Sequence, residues 1–395
     1  MIIVGGVYRE ECVRPYWSRI FGSAGRAAVA LSALSPDSHL TAYTYTGWAE
    51  DVRQTMHGLG VTTDLREITS DIAFHYFHPL SFSELIGAPG KQLPSLSATG
   101  DVVLRFGMVE GDAVIGARRA IYDPQHPSAA LLFHANGSTA KELAIVLNEA
   151  ELEYGAGEDG RDIWSYETVR DRFKADVIVV KRGPFGVVVI QPGGNVQLPA
   201  YRSETVFKLG SGDIFSAVFA HLWGERDWPA AQAADFASRA VARYVSTREP
   251  QVLLEGVEEL TRCPAEGTAG HVYIAAPFFT LAQRWLVDEM RGCLEMLGGQ
   301  TFSPIHEVGS HGGAEYIAGQ DLKGLRTCNA VLAVIDGEDA GTLFEVGYAR
   351  NLGIPVVALA ESPRPESLTM LEGTGCLITG DFTTAIYQAI WSSMR

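Results

Sequence analysis

A strand-helix-strand pattern near the C-terminal end constrains the fold of this chain more than any other stretch. The apolar run Val331 to Ile335 has the length and β-branched content of a buried parallel strand, and Asp336-Gly337 follows it as a turn. A helical segment comes next and stops at Asn351-Leu352-Gly353, before a second buried strand at Ile354 to Leu359. This βαβ unit predicts an α/β domain with a parallel sheet.

The acidic residues of this unit include Asp336, Asp339 and Glu345. Ligands of an open parallel sheet bind outside the carboxyl ends of its strands, so these side chains are expected to line one crevice. A carboxylate there can attack the anomeric carbon of a sugar while the leaving group departs. The alternative is structural: Asp336 caps the helix, Asp339 is solvated and Glu345 complements the helix dipole. The spacing alone leaves both interpretations open.

The pattern D-G-x-D-x-G-T-x-x-E-x-G-Y-A at Asp336 to Ala349 resembles the nucleoside 2-deoxyribosyltransferase family. Upstream, His271 to Phe279 is similar to the first strand and base-binding loop of that family. Gln320-Asp321-Leu322, followed by Cys328-Asn329-Ala330, is similar to its middle helix and next strand. The resemblance covers roughly residues 270 to 395.

This resemblance implies roles for individual side chains. Glu345 would be the nucleophile, Asp321 would assist proton transfer at the leaving base, and Asp339 would hold the 5′-hydroxyl of the sugar. The other expected substrate contacts are Asp336, Tyr273, Phe278 and Phe279. For the two phenylalanines, a place in the hydrophobic core is an open alternative.

Three motifs follow one another in the first part of the chain: N-x-x-E at Asn148 to Glu151, K-x-G-x-x-G at Lys181 to Gly186, and G-S-G-D at Gly210 to Asp213. The last precedes the apolar run Ile214 to Trp223, which places its amides at a helix N-terminus. Such amides bind anionic oxygens, and an Asp just inside can accept a hydroxyl proton during phosphoryl transfer. Alternatively, a small-residue loop simply starts a helix there.

In this order, the three motifs resemble the ribokinase-like, or PfkB, family of sugar and nucleoside kinases over roughly residues 1 to 255. The resemblance implies Asp213 as general base and Glu151 as the residue that organises Mg²⁺ through water. It implies ATP and Mg²⁺ as cofactors of this part, whereas the glycosidic part would need none. The expected phosphate and ATP contacts are Gly210, Ser211, Gly212, Asn148, Lys181, Gly183 and Gly186.

Two stretches depart from the kinase pattern. Phe207, Lys208 and Leu209 stand where the family usually has an acidic residue and a threonine before the glycine loop. Gly22 to Arg26 stands where the family has Gly-Gly-x-x-Asn, so the asparagine that contacts the sugar is missing. Either the phosphate acceptor is unusual or the kinase is impaired.

Charge and cysteine content exclude several classes of protein. A net charge of −16 argues against a protein that binds a nucleic acid polymer, because such binding depends on clustered Lys and Arg. The five cysteines are widely spaced without a C-x-x-C pair, so neither a disulfide framework nor a zinc site is indicated. No apolar run approaches the ~20 residues that cross a bilayer, and the first residues do not resemble a signal peptide. We expect a cytoplasmic protein with small-molecule ligands and no membrane partner.

The sequence predicts two doubly wound α/β domains. Residues 1–260 form a ribokinase-like domain with a small β lid that includes Ile72 to Phe82. Residues 261–270 form a linker, rich in small residues, and 271–395 form a smaller flavodoxin-like or Rossmann-like deoxyribosyltransferase domain. Members of both families commonly associate, so a homo-oligomer is expected.

These features predict a bifunctional enzyme of nucleoside metabolism. One site would cleave the N-glycosidic bond of (deoxy)nucleosides or transfer the 2-deoxyribosyl group, and the other would phosphorylate a nucleoside or sugar with ATP. The alternative is that the first domain is a non-catalytic nucleotide or sugar sensor. It would then gate an N-glycosidase that acts on nucleosides or their 5′-monophosphates, with nucleotide depletion as one role.

Overall fold

The computed structural model of the protein describes residues 1–125, 132–156, 166–253, 259–264 and 269–394. The chain divides into two compact units. The first unit comprises Met1–Ser203 with Phe207–Ala265, and the second comprises Glu204–Val206 with Glu266–Arg395. Part of the expected linker, residues 265–268, lies outside the described residues, so the linker at 261–270 stays a prediction.

The first unit combines strands and helices in alternation over much of its length. Its strands are β1 (Ile2–Val7), β2 (Arg9–Cys12), β3 (Trp17–Ile20), β4 (His39–Tyr45), β5 (Thr62–Ile68), β6 (Ala73–Tyr76), β7 (Glu84–Ile86), β8 (Leu96–Phe106), β9 (Ala113–Asp123), β10 (Thr139–Asn148), β11 (Val177–Lys181), β12 (Val187–Gln191) and β13 (Gly194–Leu198). Its α-helices are α1 (Gly22–Leu31), α2 (Ala49–Gly58), α3 (Glu149–Ala156), α4 (Tyr166–Phe173), α5 (Ser211–Phe219) and α6 (Ala230–Thr247).

Nine strands of this unit form one sheet in the order β13-β12-β11-β10-β9-β8-β1-β4-β5. Neighbouring strands are parallel except for the two pairs β11-β12 and β12-β13. A separate four-stranded sheet has the order β3-β2-β6-β7, and β6 lies inside the stretch that predicted a small sheet. The large parallel sheet and the small separate one confirm the predicted fold class.

Strands β8 and β9 are parallel but are joined by only residues 107–112. A parallel connection usually needs a dozen or more residues, most often a helix. Here the strands bend back instead. Leu96 N donates to Asp112 O at 2.8 Å, and the Arg105 guanidinium pairs with the Asp112 carboxylate. Leu96 and Arg105 would be about 30 Å apart along a straight strand, so β8 must fold over, and Leu96 packs in the same core cluster as Val103.

The second unit is a smaller sheet with helices. Its strands are β14 (His271–Ala275), β15 (Gln300–Phe302), β16 (Ala330–Val334), β17 (Val356–Leu359) and β18 (Leu377–Thr379). Its helices are α7 (Leu281–Met296), α8 (Pro304–Glu307), α9 (Ala314–Thr327), α10 (Ala340–Asn351), α11 (Pro365–Gly373) and α12 (Phe382–Ser393).

The strand order of the second unit is β15-β14-β16-β17-β18, with every pair parallel. The order reverses direction at β14, so a crevice is expected beyond the carboxyl ends of β14 and β16. The βαβ unit predicted from Val331 to Leu359 is present as β16, α10 and β17. Its strands are wholly buried, as their apolar runs indicated.

Within the described ranges, no helix combines the length and the apolar character needed to cross a membrane.

Candidate functional site

In the first unit, the G-S-G-D sequence starts helix α5. Gly210 precedes the helix with φ 74°, a left-handed conformation that favours glycine, and Ser211 is the first helical residue. Asp213 lies in the first turn and is only 6% exposed. The helix start expected from the sequence is therefore present.

The Asp213 carboxylate is engaged on both oxygens. Arg26, from α1, donates from Nη1 to Asp213 Oδ2 at 2.7 Å, and Gln125 Nε2 donates to Oδ1 at 2.7 Å. The same guanidinium makes a two-pronged ion pair with Glu10 on β2, with one N–O distance of 2.9 Å. Arg26 is 1% exposed, so this is a buried cluster of one cation and two anions. The sequence marked Arg26 as a departure from the kinase pattern but did not predict this contact.

Arg26 also fills the space in front of the glycine loop. A Cβ atom placed on Gly210 would lie 2.1 Å from Arg26 Nε, so the guanidinium rests directly against this glycine. A general base must come within about 3 Å of the hydroxyl that it deprotonates. In this structure, a guanidinium donates to Asp213 Oδ2, so an acceptor hydroxyl would have to share that oxygen with Arg26 or displace it.

Two lysines lie near the same helix start. Lys208 Nζ is 3.0 Å from Ser211 Oγ, and Lys181 Nζ donates to Asp123 Oδ2 at 2.9 Å. Burial, together with repulsion from Lys181, lowers the pKa of Lys208 to about 8. Asp123 is fully buried and also accepts from Ser216 Oγ at 2.6 Å. The sequence predicted Lys181 as a phosphate contact and recorded Lys208 only as a departure.

The N-x-x-E motif forms a reciprocal cap at the start of α3. Asn148 Oδ1 accepts from Glu151 N at 2.8 Å, and Glu151 Oε2 accepts from Asn148 N at 2.8 Å. Burial, opposed by the charge of Lys181 and reinforced by that of Asp123, raises the pKa of Glu151 to about 7. Both motif side chains therefore stabilise the turn from β10 into α3. Their predicted contacts with nucleotide and metal stay predictions.

Gly183 and Gly186 lie in a short turn between β11 and β12. Gly186 has φ 85°, and a Cβ atom there would lie 2.1 Å from the carbonyl oxygen of Leu198. This glycine is needed for the close approach of two backbone segments. The predicted roles of Gly183 and Gly186 in ATP binding stay predictions.

In the second unit, Tyr273 on β14 meets Glu345 in the second turn of α10. Tyr273 Oη donates to Glu345 Oε1 at 2.6 Å. Tyr273 is opposite Val331 in the parallel β14-β16 register, and α10 begins beyond the carboxyl end of β16, so the phenol meets Glu345 towards that edge of the sheet. A buried tyrosine thereby holds the carboxylate predicted as the nucleophile.

The surroundings of Glu345 favour its protonated form. Burial raises the pKa of Glu345 to about 7, the hydrogen bond from Tyr273 opposes this rise, and the charges of Asp321 and Asp339 add to it. Near neutral pH, roughly half of the Glu345 carboxyls are ionised. Perturbed carboxyls of this kind are concentrated in catalytic sites, although structural clusters also produce them.

Asp321 and Asp339 face Glu345 from two other positions. Asp321 is on α9; burial raises its pKa, and its Oδ1 is a buried atom without a hydrogen-bond partner in the described residues. Asp339 caps α10, because its Oδ2 accepts from Thr342 N at 2.8 Å and from Thr342 Oγ1 at 3.0 Å. Three carboxyl groups expected together from the sequence are thus close enough to influence one titration.

This acidic centre lies in a part of the chain with a known sequence pattern. Residues 272–378 match the family model for nucleoside 2-deoxyribosyltransferase. The match confirms the resemblance found in the C-terminal part. A comparison of the chain with curated proteins gave no match.

Solved structures similar to this chain are kinases. An aminoimidazole riboside kinase from Salmonella enterica aligns with a TM-score of 0.47 and 14% identity over 64% of this chain and 96% of that chain. A ribokinase from Thermotoga maritima aligns with a TM-score of 0.45 and 16% identity over 65% and 98%. A nucleoside kinase from Burkholderia thailandensis, solved with inosine, aligns with a TM-score of 0.46 and 17% identity over 64% and 93%.

Asp336, within the deoxyribosyltransferase match, has a clear structural partner set. Its Oδ2 accepts from Glu361 N at 2.8 Å, and its Oδ1 accepts from Ser362 N at 2.7 Å. Both oxygens therefore join the end of β16 to the loop after β17. This geometry favours a structural role for Asp336 over the predicted substrate contact.

Phe278 and Phe279 lie together in the loop after β14. Their ring centroids are 5.1 Å apart, and Phe279 is 73% exposed. Phe279 therefore does not belong to the hydrophobic core, which removes the structural alternative for that residue. Both rings stay predicted contacts for the base.

Phe302, at the end of β15, is a residue of the site that the sequence did not indicate. Its ring stacks on Tyr273 with centroids 5.4 Å apart and planes inclined by 9°. Gly324 on α9 makes room for it, since a Cβ atom there would lie 2.1 Å from the Phe302 ring. No motif or spacing pointed to this pair, because the contact joins residues that are far apart in the chain.

Proposed function

We propose that residues 271–395 form an enzyme domain that cleaves the N-glycosidic bond of nucleosides or transfers their 2-deoxyribosyl group. The observation that carries this proposal is the Glu345 carboxyl, held by Tyr273 at the carboxyl edge of β14 and β16 and facing Asp321. The match of residues 272–378 to the deoxyribosyltransferase family supports the same chemistry.

The chemistry follows from the roles of three groups. Ionised Glu345 attacks the anomeric carbon, the carbon–nitrogen bond breaks, and its electron pair leaves with the base, which takes a proton from Asp321. Tyr273 orients the attacking carboxylate through its hydroxyl. Water or a second base then gives a proton back to Asp321 and attacks the same carbon, the bond to the Glu345 carboxylate breaks, and hydrolysis or transfer results.

We expect free nucleosides to be better substrates than their 5′-monophosphates. Asp339 can accept a hydrogen bond from a 5′-hydroxyl, whereas its charge would oppose a phosphate dianion. At about 4 Å this opposition costs on the order of several kcal/mol at an effective dielectric near 20. No Arg or Lys occurs in the loop Ala275 to Leu281 to offset it.

We also propose that the protein forms a homo-oligomer. Several large apolar side chains of the second unit near the site are exposed, namely Phe279 (73%), Leu281 (88%) and Phe344 (62%). Contiguous exposed apolar surface is typical of interaction sites. A monomer in light scattering at micromolar concentration would contradict this proposal.

For the first unit, the buried Arg26 favours the sensor alternative over the kinase. A general base needs an oxygen that can reach the acceptor hydroxyl, and both Asp213 oxygens already accept hydrogen bonds. A unit that keeps the phosphate-binding motifs without an available base suits binding of a nucleotide or phosphorylated sugar. We therefore propose a non-catalytic sensor that gates the glycosidic site.

Mass spectrometry of products tests the glycosidic proposal. The protein is incubated with a panel of nucleosides and their monophosphates, with and without a second free base. Release of the free base, or appearance of a new nucleoside, is expected. If the whole panel is unchanged, the assignment of residues 271–395 is wrong.

The sensor proposal is tested with ATP on the same panel. We expect no phosphorylated nucleoside or sugar, while calorimetry detects binding of a phosphate-bearing ligand. Phosphorylated product that disappears in Asp213→Asn would contradict the proposal and restore the kinase interpretation.

A further inference from the structure

The phosphate-binding end of the first unit is poorly suited to the predicted Mg²⁺. Mg²⁺ prefers ionised oxygen ligands in octahedral geometry. Glu151 is buried and has one oxygen in a hydrogen bond with Asn148 N. Asn148 uses its carbonyl oxygen to cap α3. The side chains that would organise the metal therefore already stabilise the turn from β10 into α3.

A cation of the protein already occupies this region. The Lys208 ammonium interacts electrostatically with Glu151, Asp213 and Lys181, and it lies 3.0 Å from the Ser211 hydroxyl. A divalent ion placed among these groups would be repelled by both lysines. The donor set present therefore does not fit Mg²⁺.

The same groups fit an anion. Lys181 Nζ would be 3.4 Å from a Cβ atom on Gly212, so one ammonium lies beside the glycine loop and the other beside the first helical residue. The N-terminus of the nine-residue helix α5 adds its dipole and amides. Arg26 Nε is a further buried donor without a partner among the described residues, and it faces Gly210. Three cationic side chains thus surround one short loop.

We propose that the first unit binds a phosphate-bearing ligand through Lys208 and Lys181 without a divalent metal ion. Lys208 supplies the positive charge that a metal would otherwise bring to the phosphate. This inference rests on the proposed sensor function, and it names the chemistry that the sensor recognises. It also assigns a role to Lys208, one of the residues that depart from the kinase pattern.

Protonation should be linked to binding. A phosphate beside Lys208 stabilises the ammonium, so this side chain takes up a proton on binding. The charged groups that act on Lys208 are Lys181, Asp213 and Glu151. Because the pKa of Lys208 is about 8 in the free protein, affinity should fall as the pH rises through that value.

Calorimetry of the full chain tests the proposal with ADP, inorganic pyrophosphate and inorganic phosphate as probes and adenosine as the uncharged control. Each titration is made with excess EDTA and with excess Mg²⁺. We expect ADP to bind with dissociation constants that agree within about threefold in the two conditions. Titration in two buffers of different ionisation enthalpy near the pKa of Lys208 should show net proton uptake.

Variants assign the effect to one side chain. Lys208→Met should weaken ADP binding in EDTA by roughly 10- to 100-fold and reduce the proton uptake. Methionine is similar in length to lysine but lacks the charged hydrogen-bond donor. Lys208→Arg should keep binding in EDTA. Lys141→Met, at an exposed lysine of β10, is the matched control and should bind as the wild type does. Thermal unfolding of each variant checks its fold.

The outcomes separate this inference from the sensor proposal. Mg²⁺-dependent ADP binding without phosphoryl transfer would contradict only the metal-independent site, as would unchanged binding by Lys208→Met. Phosphorylated product in the ATP assay would contradict the sensor, whatever the result in EDTA. If none of the probes binds in either condition, both proposals are wrong. Equal binding of pyrophosphate and ADP would show that the phosphates alone are recognised.

Discussion

Glu345 and Asp213 are both carboxyl groups near the start of a helix, but their partners differ in charge. Glu345 accepts a hydrogen bond from a neutral phenol, and the charges that shift its pKa are those of two acidic residues. Asp213 shares the buried Arg26 with Glu10 and accepts a second bond from Gln125. Glu345 can exchange its hydrogen bond with the neutral Tyr273 for a contact with a substrate atom. Asp213 cannot do so easily, because a buried carboxylate that loses its ion-pair partner Arg26 is left with an uncompensated charge.

The largest expected effect comes from removing the carboxylate that is open to substrate. Glu345→Gln keeps the size of the side chain but cannot form a glycosyl ester, so kcat/KM for base release should fall by about a thousandfold or more. The matched control is Glu338→Gln in the loop before α10, where the acid pairs with Arg364. Equal activity of Glu345→Gln and the wild type in a base-release assay would remove Glu345 from the chemistry.

The second-largest expected effect is on stability and concerns the ion pair between Arg26 and the Asp213 carboxylate. Arg26→Met leaves Glu10 and Asp213 buried without their cation, which should cost about 3–5 kcal/mol in the free energy of unfolding. Urea unfolding followed by circular dichroism measures it. Arg53→Met is the control, since Arg53 pairs with Glu50 and Glu67 at the surface, where solvent screens the charges and such pairs contribute little to stability. An equal decrease in the free energy of unfolding for the two variants would show that the buried Arg26 cluster stabilises the protein no more than a surface ion pair does.

The charge of the substrate should have a smaller effect on kcat/KM at the Glu345 site. With the wild type, kcat/KM for a nucleoside should exceed that for its monophosphate by roughly 10-fold or more, because Asp339 opposes the phosphate. In Asp339→Ser the ratio should shrink towards one, since a serine still caps α10 but carries no charge. A wild-type preference for the monophosphate would make the assignment of Asp339 wrong. Phosphorylation would then have to precede glycosidic cleavage.

The smallest expected effect is a change in pH dependence. Ionised Glu345 and protonated Asp321 are the active forms, so the dependence of kcat/KM on pH should be bell-shaped, limited at low pH by protonation of Glu345 and at high pH by loss of the Asp321 proton. Tyr273→Phe removes the hydrogen bond that lowers the pKa of Glu345, so the rise should move to higher pH, with a rate loss of about tenfold at neutral pH. An unchanged profile in Tyr273→Phe would mean that the tyrosine does not act through the carboxyl group.

Much of the architecture followed from local patterns. Apolar runs of strand length, glycine stops and helix starts predicted β16, α10 and β17, and they placed α5 directly after Gly210. Parallel strands bring their carboxyl ends to one edge, so Asp336, Asp339 and Glu345 could be expected together before any coordinates were known, whereas Asp321 was expected beside them only from the family resemblance. These conclusions depend on residues close in sequence or on a general property of parallel sheets.

Contacts between distant residues decided the rest. Arg26 and Asp213 are 187 positions apart, and no local rule connects a helix in the first unit with a glycine loop so far along the chain. Phe302 on Tyr273, the folded strands β8 and β9, and the use of Asp336 as a loop brace have the same origin. Sequence motifs therefore determined which chemical groups this protein carries. The tertiary structure decided which of them keep a free oxygen, because burial and long-range partners set the charge and access of each carboxyl group.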